Sequence, residues 1–393
     1  MRCALCVLAL AGCDDLFNLD HLKGPPRDGD ITGDATDGSA LDDSADANGN
    51  CVGHYLSVCP SFVATLSFGT NATINTSTNP DCMNLPSPGQ GYPALCVLAA
   101  NNISINSRLT VTGSRALVLA SSGSITVGPG GVIDASSVGF AGQGRLGPAA
   151  NAGVSLGCNP TAGAQQGAIA GAGGGAGGSF GGTGGSGGAA DNGTTANSNL
   201  ALLTSPPKLR GGCPGALGGP SANLNSSSFL GNSGGALYLV AAQSITIDGL
   251  VMANGSSGSG GGVNTDLERA GGAGGGSGGL IVLDAQMLTL PGVIAAQGGA
   301  GGGGADGTVG GNDGQEWDPS NSTSGARGGS GGGGGGSGGD GSSAQSVSGT
   351  SGVGCNTADG GAAGGGGGGA GFILIHGAVS QATHLYPAPI TLP

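Results

Sequence analysis

The chain has 393 residues, of which 93 are Gly and 19 Pro, with only 8% charged residues, 3% aromatics and one Trp. Such a bias excludes an ordinary globular core over the whole length, and the absence of a Pro-rich Gly-X-Y repeat excludes collagen. The formal net charge of -13, with Lys only at 23 and 208, excludes a cationic face for nucleic acid.

The first residues, MRCALCVLALAGC, place an arginine before an apolar run that ends at Leu10-Ala11-Gly12-Cys13. This resembles the bacterial lipoprotein signal, which implies cleavage before Cys13 and its lipidation. Residues 1–13 are therefore read as a signal peptide with lipobox and set aside from the fold, and the exported chain is expected to meet an oxidising compartment. Residues 14–50 hold many Asp and almost no large apolar side chain, so they cannot repay their ordering entropy and read as a disordered acidic tether. Asp28, Asp30 and Asp34 imitate the start of a calcium loop. Ser39 stands where the final bidentate Glu belongs, so no metal site is expected.

Residues 51–95 are expected to form an N-terminal cap. Cys51, Cys59, Cys82 and Cys96 lack the short spacing of a zinc knuckle and His54 is isolated, so disulfides are the stronger reading. From residue 96 to 393 the chain repeats a three-part unit. LVLASSGSITVGPGGVIDASS from Leu117, LYLVAAQSITIDGLVMANG from Leu237 and LIVLDAQMLTLPGVIAAQG from Leu280 align, and a worn copy starts at Phe372. Three short apolar runs per unit, rich in Val and Ile and separated by small corners, predict strands that must stack on their neighbours. The expected fold is all-β, a single-stranded right-handed parallel β-helix. With Tyr238 turned to solvent, Leu237 and Leu239 would face the bore, and Leu119, Leu239, Val282 and Leu374 would form one column. QATHLYPAPITLP, with three prolines that cannot donate ladder hydrogen bonds, reads as a cap on the last edge.

Glycine-rich inserts span 139–235, 255–279 and 298–371 and follow the third run of their units, so they are expected to leave along one edge. GGSFGGTGGSGG has a period of three, broken at Phe180. Three residues per turn is the period of a polyproline-type helix, and the pattern resembles the polyglycine bundles of springtail antifreeze proteins and some phage adhesins. A flexible linker is the other reading. The run Gly331 to Gly336 breaks the triplet and is expected to be disordered. Cys158 and Cys213 flank the triplet-rich part and are expected to pair, with Cys355 as the rival partner.

Chemistry is sparse. Asn232-Ser233 in a Gly frame superficially resembles a serine-protease motif but lacks a suitable upstream histidine. Asp284 and His376 align after the first run of their units, together with Ser121 and Ala241, and form a polar pair about one strand spacing (~4.8 Å) apart. That pair reads as a corner contact, so no catalytic residue, metal or cofactor is expected. Lipobox, tether, Cys-bearing cap and glycine-laden rungs together resemble the glycine-rich surface lipoproteins of myxobacterial-type organisms, a family that implies no activity. The expectation is a non-enzymatic envelope lipoprotein with a structural or adhesive role. It would be lipid-anchored in the outer membrane or on the cell surface, with surface glycans or other envelope proteins as partners. A carbohydrate-binding or carbohydrate-cleaving β-helix is the alternative. Metabolic labelling with a clickable fatty acid is expected to tag the wild type and not Cys13→Ser; equal labelling of the two would contradict the lipobox reading.

Overall fold

The structure, a computed structural model, describes residues 51–87, 92–139, 144–151, 158–165, 171–190, 194–197, 208–221, 229–263, 269–355 and 360–393. The expected signal peptide, Cys13, the tether and its calcium-like aspartates lie outside these residues. The chain is all-β with almost no helix. Its strands are β1 (Val63–Phe68), β2 (Ala72–Asn75), β3 (Met83–Leu85), β4 (Leu95–Ile105), β5 (Arg108–Thr112), β6 (Ala116–Val127), β7 (Val132–Asp134), β8 (Ala236–Ile247), β9 (Leu250–Met252), β10 (Leu280–Ala295), β11 (Phe372–Tyr386) and β12 (Ile390–Thr391).

All pairings between these strands are parallel except β3 with β4. One ladder runs β1-β4-β6-β8-β10 and a second runs β2-β5-β7-β9 back to β10, so the sheet nearly closes into a barrel and, in coarse terms, resembles a β-helix-like solenoid. Apolar columns explain why these runs stack. Leu98, Leu119, Leu239, Leu283 and Ile375 lie in register, as do Ile103, Ile125, Ile245 and Leu288, and Leu109, Ile133, Val251 and Ile294. All thirteen are buried in one cluster, and each full burial contributes about 1.5–3 kcal/mol. β12 folds back beside Leu374 and Ile375, and the Leu392 amide donates to the Ile375 carbonyl at 2.8 Å, so the proline-bearing tail covers part of the last edge.

The first-run register differs by one residue from the sequence alignment. Leu237 faces Ile281 rather than Leu280, and Val282 and Leu374 stack on Tyr238 instead of on Leu239. The second runs align as expected, with Ile245 opposite Leu288. A register shift between Ala285 and Met287 absorbs the extra corner residue of β8. Tyr238 does point away from the leucines, but it is fully buried, not solvent-facing, because the loop that begins at Cys51 lies over it.

The glycine tracts pack against one another. Gly175 N–H donates to Gly272, Gly272 to Ala363, and Gly366 back to Gly175, each at 2.9 Å. Three residues on, Gly178 donates to Gly275, Gly275 to Gly366, and Gly369 to Gly178. Each of these segments comes from a different insert, and the step of three is one turn of a polyproline-type helix. Gly331–Gly336, expected to be disordered, joins the same network through Gly332 to Gly304 and Gly336 to Ala362. The physical reason is simple: packing demands glycine at the crowded positions and tolerates glycine at the outward one. A Cβ on Gly275 would meet the Gly299 and Ala300 carbonyls closer than real Cβ atoms come to any neighbour. Gly275→Ala is expected to cost about 1–3 kcal/mol as overpacking, whereas Val353→Ala, at an exposed outward position, should stay within about 0.5 kcal/mol. Urea denaturation of both variants measures the difference, and equal stabilities would contradict the packed bundle.

Candidate functional site

A polar cluster gathers where the chain's first described loop crosses β8, β10 and β11. Cys51 and Cys59 lie at disulfide distance, with Cα atoms 4.0 Å apart, and Val52 and Val58 exchange two backbone hydrogen bonds of 2.9 Å. Gly53 turns the loop at φ +106°, where a Cβ would run into the Tyr238 hydroxyl and the Leu56 carbonyl. Closure of this small ring fixes two amides, those of His54 and Tyr55, above Asp284 of β10.

Asp284 is 4% exposed, so its carboxylate has lost its water and must find donors in the protein. It finds four. Oδ2 accepts from the His54 amide at 2.6 Å, the Tyr55 amide at 2.9 Å and the Tyr238 hydroxyl at 2.7 Å. Oδ1 lies 2.9 Å from Nδ1 of His376, directly across the β10–β11 ladder. Burial first, and the Asp284 charge second, hold the Tyr238 phenol well above its ordinary pKa, so it remains a donor. Tyr55 is likewise raised by burial, with Tyr92 contributing, and its ring packs edge-on against Tyr238 at 5.7 Å. The His54 and His376 rings stack in parallel, with centroids 4.1 Å apart.

The polar pair expected from the sequence is therefore brought together, but in different company. Asp284 is level with Val240 and Ala120; Ser121, Ala241 and Ala285 form the adjacent position. His376 Nδ1 faces the buried Asp284 carboxylate, while the His376 side chain stays partly exposed. This arrangement can hold a loop down. Among the described residues no group of three His, Cys, Asp or Glu is placed to hold a metal ion. Two other acids are engaged elsewhere: Asp134 pairs with Arg108 at 2.7 Å and Arg145 at 2.8 Å. Glu316, raised above its usual range mainly by burial, accepts from the Gly139 amide. Ser233 is buried within the glycine network and accepts from the Asn151 amide.

Cys82–Cys96 and Cys158–Cys213 also lie at disulfide distance, with Cα separations of 4.9 and 5.3 Å, and Cys355 stands outside the three pairs. The sequence reading missed the two loop amides and the Tyr238 hydroxyl. The short ring Cys51–Cys59 around Gly53 was the available signal for a rigid loop, but nothing in it named Asp284 as the target. Comparison with known proteins finds no matching family, no matching curated protein and no matching solved structure.

Removing the carboxylate breaks the hydrogen bonds from the part-buried His54 and Tyr55 amides and from the buried Tyr238 hydroxyl, which keeps only its 3.3 Å contact to the Leu56 carbonyl, at about 1 kcal/mol for each bond. Asp284→Ala is expected to lower unfolding free energy by about 2–4 kcal/mol, and His376→Ala by less than about 1 kcal/mol because its ring reaches water. Equal losses in urea denaturation would mean that the histidine holds the loop.

Proposed function

We propose that this chain is a non-enzymatic structural or adhesive protein of the bacterial cell envelope. In this reading a single-stranded right-handed parallel β-helix carries all three glycine inserts along one edge, and a lipid on Cys13 tethers it to the outer membrane or cell surface. The observation that supports a display role is the outer layer of the glycine bundle. Asn312 donates through its amide to the Ser330 carbonyl, Val353 to Ser337, and Thr350 to Asp340, at 2.8–2.9 Å. The side chains of all six are exposed. Residues three apart on a polyproline-type helix lie about 9 Å apart, so the layer presents short side chains on a regular grid held by the backbone beneath. Such a surface offers shape and hydrogen bonds to an extended partner without any reactive group.

The Asp284–His376 contact favours the second reading, a carbohydrate-binding or carbohydrate-cleaving β-helix, because a carboxylate-oriented imidazole can move protons. A glycan array, with turnover then measured on every glycan that binds, separates the two. The envelope reading expects any bound glycan to remain uncut. Turnover that falls a hundredfold in His376→Ala would replace it with the enzymatic one.

A further inference from the structure

Both ladders of the sheet start and finish on strands that have a partner on one side only. β1 pairs only with β4 and β2 only with β5, while β11 beyond Ile375 pairs only with β10. Among the described residues no other strand covers these edges, and residues 378–384 of β11 are all exposed. The main apolar cluster reaches both ends through the same two columns. One runs from Leu66 through Ile103 and Leu288 to Val379, the other from Ala72 through Leu109 and Ile294 to Leu385. The inner members are buried, whereas Leu66, Ala72 and Leu385 are only partly covered and Val379 is 41% exposed.

An open strand edge is a template for pairing with another chain, and charged residues or proline ordinarily guard it. Residues 63–68, 72–75 and 377–386 contain no Asp, Glu, Lys, Arg or Pro. A layer that continues the ladders past β11 must run parallel to it and set apolar side chains over Val379 and Leu385. β1 and β2 of another copy meet both demands. They already run parallel to β4 and β5, and they head the same two columns with Leu66 and Ala72. The free edges lie at opposite ends of the ladders, so one copy fits on the next facing the same way.

One element stands between them. β12 lies beside Leu374 and Ile375. At the other end β3 fills the matching place beside Val97, which shares a column with Leu374. A copy docked on β11 would bring its Met83 to where Ile390 lies. β12 is two residues long, Ile390 is 43% exposed, and Pro387 and Pro389 sit in this tail rather than in β11.

We propose that β1–β3 and β11 are the two halves of a head-to-tail interface between copies of this chain, and that β12 is the plug that keeps it closed. Once β12 swings aside, the contact repeats without closing and yields an open filament. Each copy adds six strand layers, an axial repeat of about 29 Å at ~4.8 Å per layer. The interface rests on the ladders alone and stands apart from the envelope reading.

Sedimentation velocity over a concentration series tests it on the full chain and on a chain that stops after Tyr386. The full chain should stay monomeric, and the shortened one should sediment faster as concentration rises, with filaments of that repeat in electron micrographs. Leu66→Lys or Val379→Lys in the shortened chain turns a charge into one end of the core and should stop growth. Mixed, the two variants should form a one-to-one dimer, because each keeps the end the other has lost. Circular dichroism checks each fold. Ile390→Asp in the full chain replaces the shortened chain should that not fold, and the exposed Val379→Lys decides should Leu66→Lys not fold. A folded chain without its plug that stays monomeric, or assembly that the lysine variants leave intact, would overturn the interface. Equal assembly of the full chain would overturn the plug.

Discussion

Close approach of one glycine backbone to another is the constraint on which the molecule depends. An added Cβ on Gly366 would strike the Gly185 carbonyl, and one on Gly278 would strike that of Ala296. Ordering glycine costs more backbone entropy than ordering any other residue, on the order of 1–2 kcal/mol per residue or above. A net gain of about 0.5–1.5 kcal/mol per hydrogen bond offsets this only if nearly every amide is paired and the backbones touch along their length. Both conditions need a missing side chain on the crowded sides of each helix. The glycine content is therefore a packing requirement, with Ala, Ser, Thr and Val admitted where a side chain has room.

The bundle and the sheet are a single hydrogen-bonded body. Glycine segments run straight into strands, at Gly235–Ala236, Gly279–Leu280 and Gly371–Phe372. The Leu280 amide donates to Gly235, that of Phe372 to Gly279, and that of Gly371 to Ala296. Strand register and glycine register are thus locked together, because a slip in one would unpair the other. Phe180 joins them laterally, with its ring against Phe372 on one side and Arg210 on the other. On the same outer face the Cys51–Cys59 loop closes over Tyr238 and spends its two amides on Asp284.

The sequence made the architecture legible through the three-run repeat, whose second and third runs align residue for residue with the observed ladders. It misplaced the first run of β10 by one residue. The corner after Ala285 is one residue shorter than that after Ala241, and period-two alternation looks the same on either side of such a shift. Tyr238 misled because alternation tells which way a side chain points, not what covers it. Its cover comes from residues 51–62, distant in the chain. Asp284 and His376 were found because they sit in neighbouring rungs. The donors at His54 and Tyr55 were invisible because backbone amides carry no sequence signature. Arg210 drew no notice as one cation in an insert, because its burial against Phe180 has no signature in the sequence. Phe180 itself appeared only as a break in the triplet.

Native-state hydrogen exchange at the glycine amides tests the ordered bundle most directly. The amides of Gly175, Gly178, Gly272, Gly275, Gly366 and Gly369 each donate to a neighbouring segment at 2.9–3.0 Å. They should be protected to a degree similar to the sheet amides of Leu280 and Phe372, with slow exchange recurring every three residues. Exchange of these six at the rate of an unstructured glycine peptide, beside a protected sheet, would contradict the account.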